Sequence, residues 1–303
     1  MCYYVNIKSI IGCEKNQKYV TNLKIYKVKK GDIMTRKRNF SIPVDLTHLT
    51  WSLSRTSTGT AGSFLKSYEE TDGQKIYYKM SNYDSVRGVF GHESINEIVA
   101  QNIADSLSIQ HLMYDLIYCT VKVSNNVFET WITRSKDFKW SGESKMTFET
   151  YYEILRQDDE DMLQFIKRMN LEEYFYNMFI LDYLICNRDR HGANIEVLQK
   201  GDSYRLAPLF DNGLSFLFSC YNDGSKMLAF DKMKDGPVNN YVGSMNLSDN
   251  LKLVPKNLRM KVVMPSREQL FKGLENAYEA VPDEYWDCIY EMVKERVEYV
   301  KKI

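Results

Sequence analysis

Apolar positions over residues 51–80 recur every second residue, broken by small or turn-forming side chains, and this predicts strand, loop, strand, turn, strand. The strands fall at 51–55, 63–68 and 74–80, with a small-residue loop at 56–62. Asp72-Gly73 reads as a hairpin turn, because that dipeptide accepts the positive backbone dihedrals of a tight primed turn. At residue 93 the period changes: Ile95, Val99, Ile103 and Leu107 recur every fourth position and predict a helix over 93–107. Strands at 116–123 and 127–133 around Asn125-Asn126 come next, then a linker over 136–145 that holds Ser141-Gly142. Beyond it, three- and four-residue apolar spacing predicts helices over 151–169, 171–186, 266–281 and 283–301, the third opening on a Ser266/Gln269 capping box. Residues 19–30 alternate only in part and read as strands closed off by Gly31-Asp32, with no role assigned.

A β-rich first half carrying one helix and a mainly helical second half make an α+β outline with a ligand cleft at the junction. At 303 residues the chain exceeds what one compact core usually serves, which favours two lobes. Hydrophobic residues make up 44% and charged residues 26%, so a globular protein with a buried core is expected. Lys plus Arg and Asp plus Glu both total 40, so no global field favours nucleic acid or an anionic membrane. No run approaches a membrane-spanning length, and Lys8 and Glu14 interrupt the first apolar stretch where a secretory core would lie. The six cysteines form no Cys-x-x-Cys pair, and His48, His92 and His111 have no metal-ligand spacing. Buried, inert thiols in a reducing cytoplasm are the expectation, with a secreted effector as the alternative location.

The densest chemistry is Asn187-Arg188-Asp189-Arg190-His191-Gly192-Ala193-Asn194, between a hydrophobic helix and a short strand. Asp189 and Asn194 stand at the Asp-x-x-x-x-Asn spacing of protein-kinase catalytic loops. Phosphoryl transfer needs a carboxylate to orient the attacking hydroxyl and take its proton, and an oxygen ligand for the metal that neutralises the triphosphate. Asp189 suits the first task and Asn194 the second. A hairpin over 195–210, turning at Lys200-Gly201-Asp202, would return Asp211 of Asp211-Asn212-Gly213 beside Asn194, so that both reach one Mg²⁺. Upstream, the small side chains of Ser57, Thr58, Gly59, Thr60, Ala61 and Gly62 would let backbone N–H groups approach phosphate oxygens. Lys79 ends the strand one hairpin later, where a kinase places its nucleotide-gripping lysine. Its carboxylate partner is Glu97 or Glu93, with Glu97 preferred. Each part also has a plain reading: solvated loop, turn, strand lysine, acidic first turn of a helix. Their order along the chain is that of a protein kinase, which places the N-lobe at 1–135 and the helical C-lobe at 136–303. Within the N-lobe, 1–45 is an extension and 46–135 holds the nucleotide-flap sheet and helix.

Asp189-Arg190-His191-x-x-Asn194 departs from the common His-Arg-Asp order and resembles the catalytic loop of HipA-like kinases and of phosphoinositide kinases. The motifs Gly59-Thr60-Ala61-Gly62 with Phe64-Leu65-Lys66, the helix start at 93–97 and Pro208-Leu209-Phe210-Asp211-Asn212-Gly213 resemble the HipA-like, CtkA-like branch. The resemblance covers about residues 50–303. It implies an ATP- and Mg²⁺-dependent serine/threonine kinase acting on a protein substrate. Asp189 would be the base, Asn194 and Asp211 the metal ligands, Lys79 the phosphate lysine and residues 57–63 the flap. It also implies that Ser57, Thr58, Thr60 or Ser63 could be self-phosphorylated. Residues 1–45 show no match to the HipA N-terminal subdomain, so no antitoxin partner is expected. His191 is assigned a loop-bracing hydrogen bond. A lipid kinase and a catalytically silent binding module are the other readings that share these motifs.

Overall fold

The computed structural model describes residues 42–52 and 64–303. The expected strands at 19–30, the loop at 56–62 with Ser57, Thr58, Gly59, Thr60, Ala61 and Gly62, most of the strand at 51–55, Ser63, Cys2 and Cys13 lie outside the described residues. Residues 39–303 form one compact unit.

The first half is a five-stranded sheet. Its strands are β1 (Val44–Leu46), β2 (Lys66–Thr71), β3 (Gln74–Met80), β6 (Tyr114–Val123) and β7 (Asn126–Lys136), in the order β1-β6-β7-β3-β2. Between β3 and β6 come the small hairpin β4 (Tyr83–Asp84) with β5 (Gly88–Val89) and the helix α1 (Glu93–Ser106). Asp72-Gly73 makes the expected turn, with both residues at positive φ. One face of the sheet buries Leu46, Leu65, Tyr78, Met80, Val121 and Ile132 in a small core of its own. Period two therefore turns Lys79, between Tyr78 and Met80, to the opposite face.

The second half opens with β8 (Ser144–Thr147), α2 (Phe148–Leu155), α3 (Met162–Arg168) and α4 (Glu172–Ile185). β9 (Asp189–Arg190), β10 (Glu196–Lys200) and β11 (Ser203–Leu206) follow. The rest comprises α5 (Gly224–Leu228), β12 (Asn239–Asn240), α6 (Leu247–Lys252), α7 (Lys256–Arg259), α8 (Arg267–Leu270) and α9 (Asp283–Lys302).

Three expectations are corrected. The helix expected over 151–169 is two, because Asp159 adopts a left-handed φ of 59° and Asp161 opens a new capping box with Gln164. The helix expected over 266–281 is a single turn, Arg267–Leu270 capped at Phe271, followed by turns with Gly273 at φ 80° and a short 3-10 helix at Tyr278–Ala280. The supposed linker over 136–145 contributes strand: Ser144 and Lys145 pair with Gln199 and Leu198 on β10.

Helix α1 is buried on every side, unlike a surface helix with one apolar stripe. Ile95, Ile98, Val99 and Ile103 join the large core of the helical half, and its polar side chains find fixed partners. The Asn96 side-chain amide donates to the carbonyls of Gly213 and Ser215 at 2.8 and 3.0 Å, and that of Asn102 to Leu270 and Lys272 at 3.0 and 2.9 Å. Buried amides left unpaired would cost free energy, so these bonds specify where α1 sits.

His92, just before α1, is 2% exposed and lies edge-on to Tyr285 with ring centroids 5.2 Å apart. Burial pulls its pKa from 6.5 down to about 4. Between those values the unfolded chain takes up a proton that the folded chain refuses, so stability falls as pH falls. The expected loss from this group is about 3 kcal/mol, full at pH 4 and absent above pH 7. Urea unfolding at pH 7 and pH 4.5 should show His92→Phe losing roughly 2–3 kcal/mol less than the wild type on acidification.

Candidate active site

Lys79 comes from the inner strand β3, in register with Thr133 on β7 and Lys66 on the edge strand β2. Its ammonium meets Glu97 Oε1 at 3.1 Å and also pairs with Asp211 Oδ1. Glu97 is held from both sides, because its Oε2 accepts the Asn212 N–H at 2.9 Å. Glu93 is turned elsewhere: it accepts the backbone N–H of Asn82 at 3.0 Å and a second bond from the Asn82 side chain. Lys79 thus joins the Glu97 and Asp211 carboxylates directly. The loop carrying Asp211 lies against α1 so closely that a Cβ on Gly213 would meet Glu93 Cβ at 3.0 Å and Glu97 Oε1 at 3.3 Å. Asp211 itself has a left-handed φ of 58°, and its N–H donates to the Tyr114 hydroxyl at 3.2 Å.

The charges differ in setting. Burial alone would lower the Lys79 pKa, but the Asp211 and Glu97 carboxylates outweigh it and hold the ammonium well above the usual lysine value. Burial would raise Asp211, yet Lys79 and Lys66 keep it well below the usual carboxylate range. Glu97 goes the other way: burial outweighs the Lys79 charge and raises it. Neighbouring charges explain the split: Lys66 and Arg190 join Lys79 in lowering Asp211, whereas the Asp211 charge adds to burial in raising Glu97. Lys66 Nζ lies 3.8 Å from Asp211 Oδ2, a second ammonium that strand position alone did not single out.

The hairpin β10–β11 pairs Lys200 with Ser203 across Gly201-Asp202 and carries the chain back from Asn194 towards Asp211. Asp189, in β9, and Asn194 precede this hairpin, between α4 and β10, and both are buried. The Asn194 side-chain N–H donates to the Asp189 carbonyl at 2.8 Å, a bond that leaves its Oδ1 unengaged by that contact. His191 Nδ1 accepts the Ala193 N–H at 3.2 Å, a loop-bracing bond.

Sequence reasoning missed the brace beneath this loop. Arg190 is wholly buried and donates to both oxygens of Asp182 on α4, with the shortest bond 2.7 Å. It also donates to the Phe210 carbonyl at 2.7 Å and to Asn212 Oδ1 at 2.6 Å. One guanidinium therefore ties the Asp189 loop to the Asp211 loop. The available signal was Asp182, a lone carboxylate in the apolar run 178–185.

Among the described residues no three His, Cys, Asp or Glu side chains gather as a metal cluster. Asn194 and Asp211 each carry oxygen donors of the kind Mg²⁺ takes alongside waters and substrate phosphates. The described cysteines, Cys119, Cys186, Cys220 and Cys288, are free and buried. No described helix is long and apolar enough to cross a membrane. Two clefts open among the described residues: one of about 360 Å³ by His92 and Trp131, one of about 700 Å³ by Met113 and Trp140. Neither is lined by Lys79, Asp189 or Asp211, so the site is defined by converging side chains rather than by cavity size.

Sheet, buried helix and helical half make a bilobal, protein-kinase-like fold. The structure of the proinflammatory kinase CtkA from Helicobacter pylori matches with a TM-score of 0.57 at 16% identity, over 86% of this chain and 97% of that one. A HipA structure from Shewanella oneidensis MR-1, in complex with HipB and operator DNA, gives 0.48 at 11% identity over 82% and 68%, too loose to carry argument. No family model and no curated protein matches the chain. The likeness to CtkA establishes the fold.

Removing one partner of a buried ion pair costs about 3–5 kcal/mol. Arg190→Met should lower urea-unfolding stability by that amount, and the double variant Asp182→Leu/Arg190→Met should recover much of it.

Proposed function

We propose that the chain is an ATP- and Mg²⁺-dependent protein serine/threonine kinase of HipA-like type, moving the γ-phosphate to a protein hydroxyl. The observation that carries this reading is the meeting of Lys79, Glu97 and Asp211, since Lys79 and Asp211 are 132 positions apart and a bland strand lysine has no need of either carboxylate.

In this reading Lys79, oriented by Glu97, binds phosphate oxygens, and Lys66 adds a second ammonium from the neighbouring strand. Asn194 and Asp211 hold the magnesium, which when bound offsets charge on the phosphates. Asp189 orients the acceptor hydroxyl and accepts its proton. The flap of Ser57, Thr58, Gly59, Thr60, Ala61 and Gly62 covers the phosphates and is itself an acceptor. The lobes divide near residue 135, and the setting is a reducing cytoplasm, consistent with the four buried free cysteines.

With γ-labelled ATP, casein and phosphoinositide vesicles as acceptors, label is expected on protein; label on vesicles alone, or on neither, removes the reading. Asp189→Asn should lower transfer about a hundredfold or more while nucleotide binding persists. Asp211→Asn should weaken the Mg²⁺-dependent part of nucleotide binding. Phosphopeptide mapping after incubation with ATP should find phosphate within residues 57–63.

A further inference from the structure

Asp189 is not held by its own loop alone. β12 runs parallel to β9, pairing Asn239 with Asp189 and Asn240 with Arg190. The backbone N–H groups of Asn239 and Tyr241 donate to the Arg188 and Arg190 carbonyls at 2.9 and 3.0 Å. The Asn239 side-chain amide then donates to Asp189 Oδ1 at 2.8 Å. On the other side Oδ2 faces His191 Nε2 at 3.7 Å, beyond a hydrogen bond. One carboxylate oxygen is thus tied down by a neutral donor and the other keeps its lone pairs.

The segment that supplies Asn239 is itself built to stay in place. Val238 N–H donates to the Met245 carbonyl at 2.9 Å. The buried side chain of Asn250 accepts the Ser244 N–H at 2.6 Å and donates to the Ser244 carbonyl at 2.9 Å. The strand also lies close on the catalytic loop, for a Cβ on Gly192 would meet the Tyr241 ring at 3.4 Å.

We propose that Asn239 is a positioning residue for phosphoryl transfer: its amide fixes Oδ1 of Asp189, so that Oδ2 is the oxygen presented to the acceptor hydroxyl. The assignment rests on Asp189 being the base, as proposed above. In the step, the acceptor O–H bond breaks and its proton passes to Oδ2. The acceptor oxygen bonds to the γ-phosphorus while the bond from phosphorus to the bridging oxygen breaks, and ADP leaves. A neutral amide suits the task because it donates without bringing a second titrating group to the base.

Asn239 is solvent-exposed, so substitutions there should leave the fold intact, which thermal melts will check. Asn239→Leu removes the donor; Asn239→Asp, nearly the same shape, removes it and sets a like charge against Asp189. With γ-labelled ATP and casein, both should lose kcat, Leu by about 10- to 100-fold and Asp by at least as much, with KM for ATP within about twofold of wild type. A role in packing alone predicts the reverse order, Leu worse than Asp, or a KM for ATP that rises with the loss of kcat; either result overturns the assignment. Failure of the wild type itself to label any acceptor would instead remove the kinase reading, and this inference with it.

Discussion

The buried charge cluster of Lys79, Glu97 and Asp211 organises the molecule around it. Each member belongs to a different structural unit: Lys79 to the sheet, Glu97 to α1 and Asp211 to the loop that follows β11. The sheet keeps a core of its own, whereas α1 shares the core of the helical half. The cluster is therefore an electrostatic bridge between the two hydrophobic cores. Buried ion pairs contribute little net stability, because desolvation offsets their attraction, but removing one partner is costly. What such a cluster secures is relative position, and relative position is what a phosphate-binding site needs.

A second brace acts at right angles in purpose. Arg190 gathers Asp182, the Phe210 carbonyl and Asn212, so the loop with Asp189 and the loop with Asp211 share one guanidinium. Its planar fork can serve several acceptors at once, which a lysine could not. Between these two braces the chain holds Lys79 and Asp211 from one side and Asp189 and Asn194 from the other. The Glu97 side chain is wholly buried and that of Asp211 partly exposed, so Asp211 is the more accessible carboxylate of the two.

The likeness to CtkA spans nearly the whole of that protein at low identity, and it rests on architecture more than on sequence. Only short stretches of chemistry must be kept for such a site. The remainder has to supply a sheet, one buried helix and a helical support, and many sequences with matching apolar periods can do so.

Much of this was legible in the sequence. Alternation at 74–80, four-residue spacing at 93–107 and the Asp72-Gly73 turn are local patterns, and local sterics are enough to turn them into β3, α1 and a hairpin. The order of lysine, glutamate, Asp-x-x-x-x-Asn and Asp-Asn-Gly was likewise readable. Tertiary structure alone decided that Glu97 and not Glu93 meets Lys79, that Arg190 is a buried clamp, and that Asn239 reaches Asp189 across 50 positions. It also broke the helices expected over 151–169 and 266–281, where the chain turns at Asp159 and after Leu270 despite the apolar spacing. The reason is physical: periodicity records which face of an element is buried, but which residue it meets there is set by packing between segments far apart in the chain.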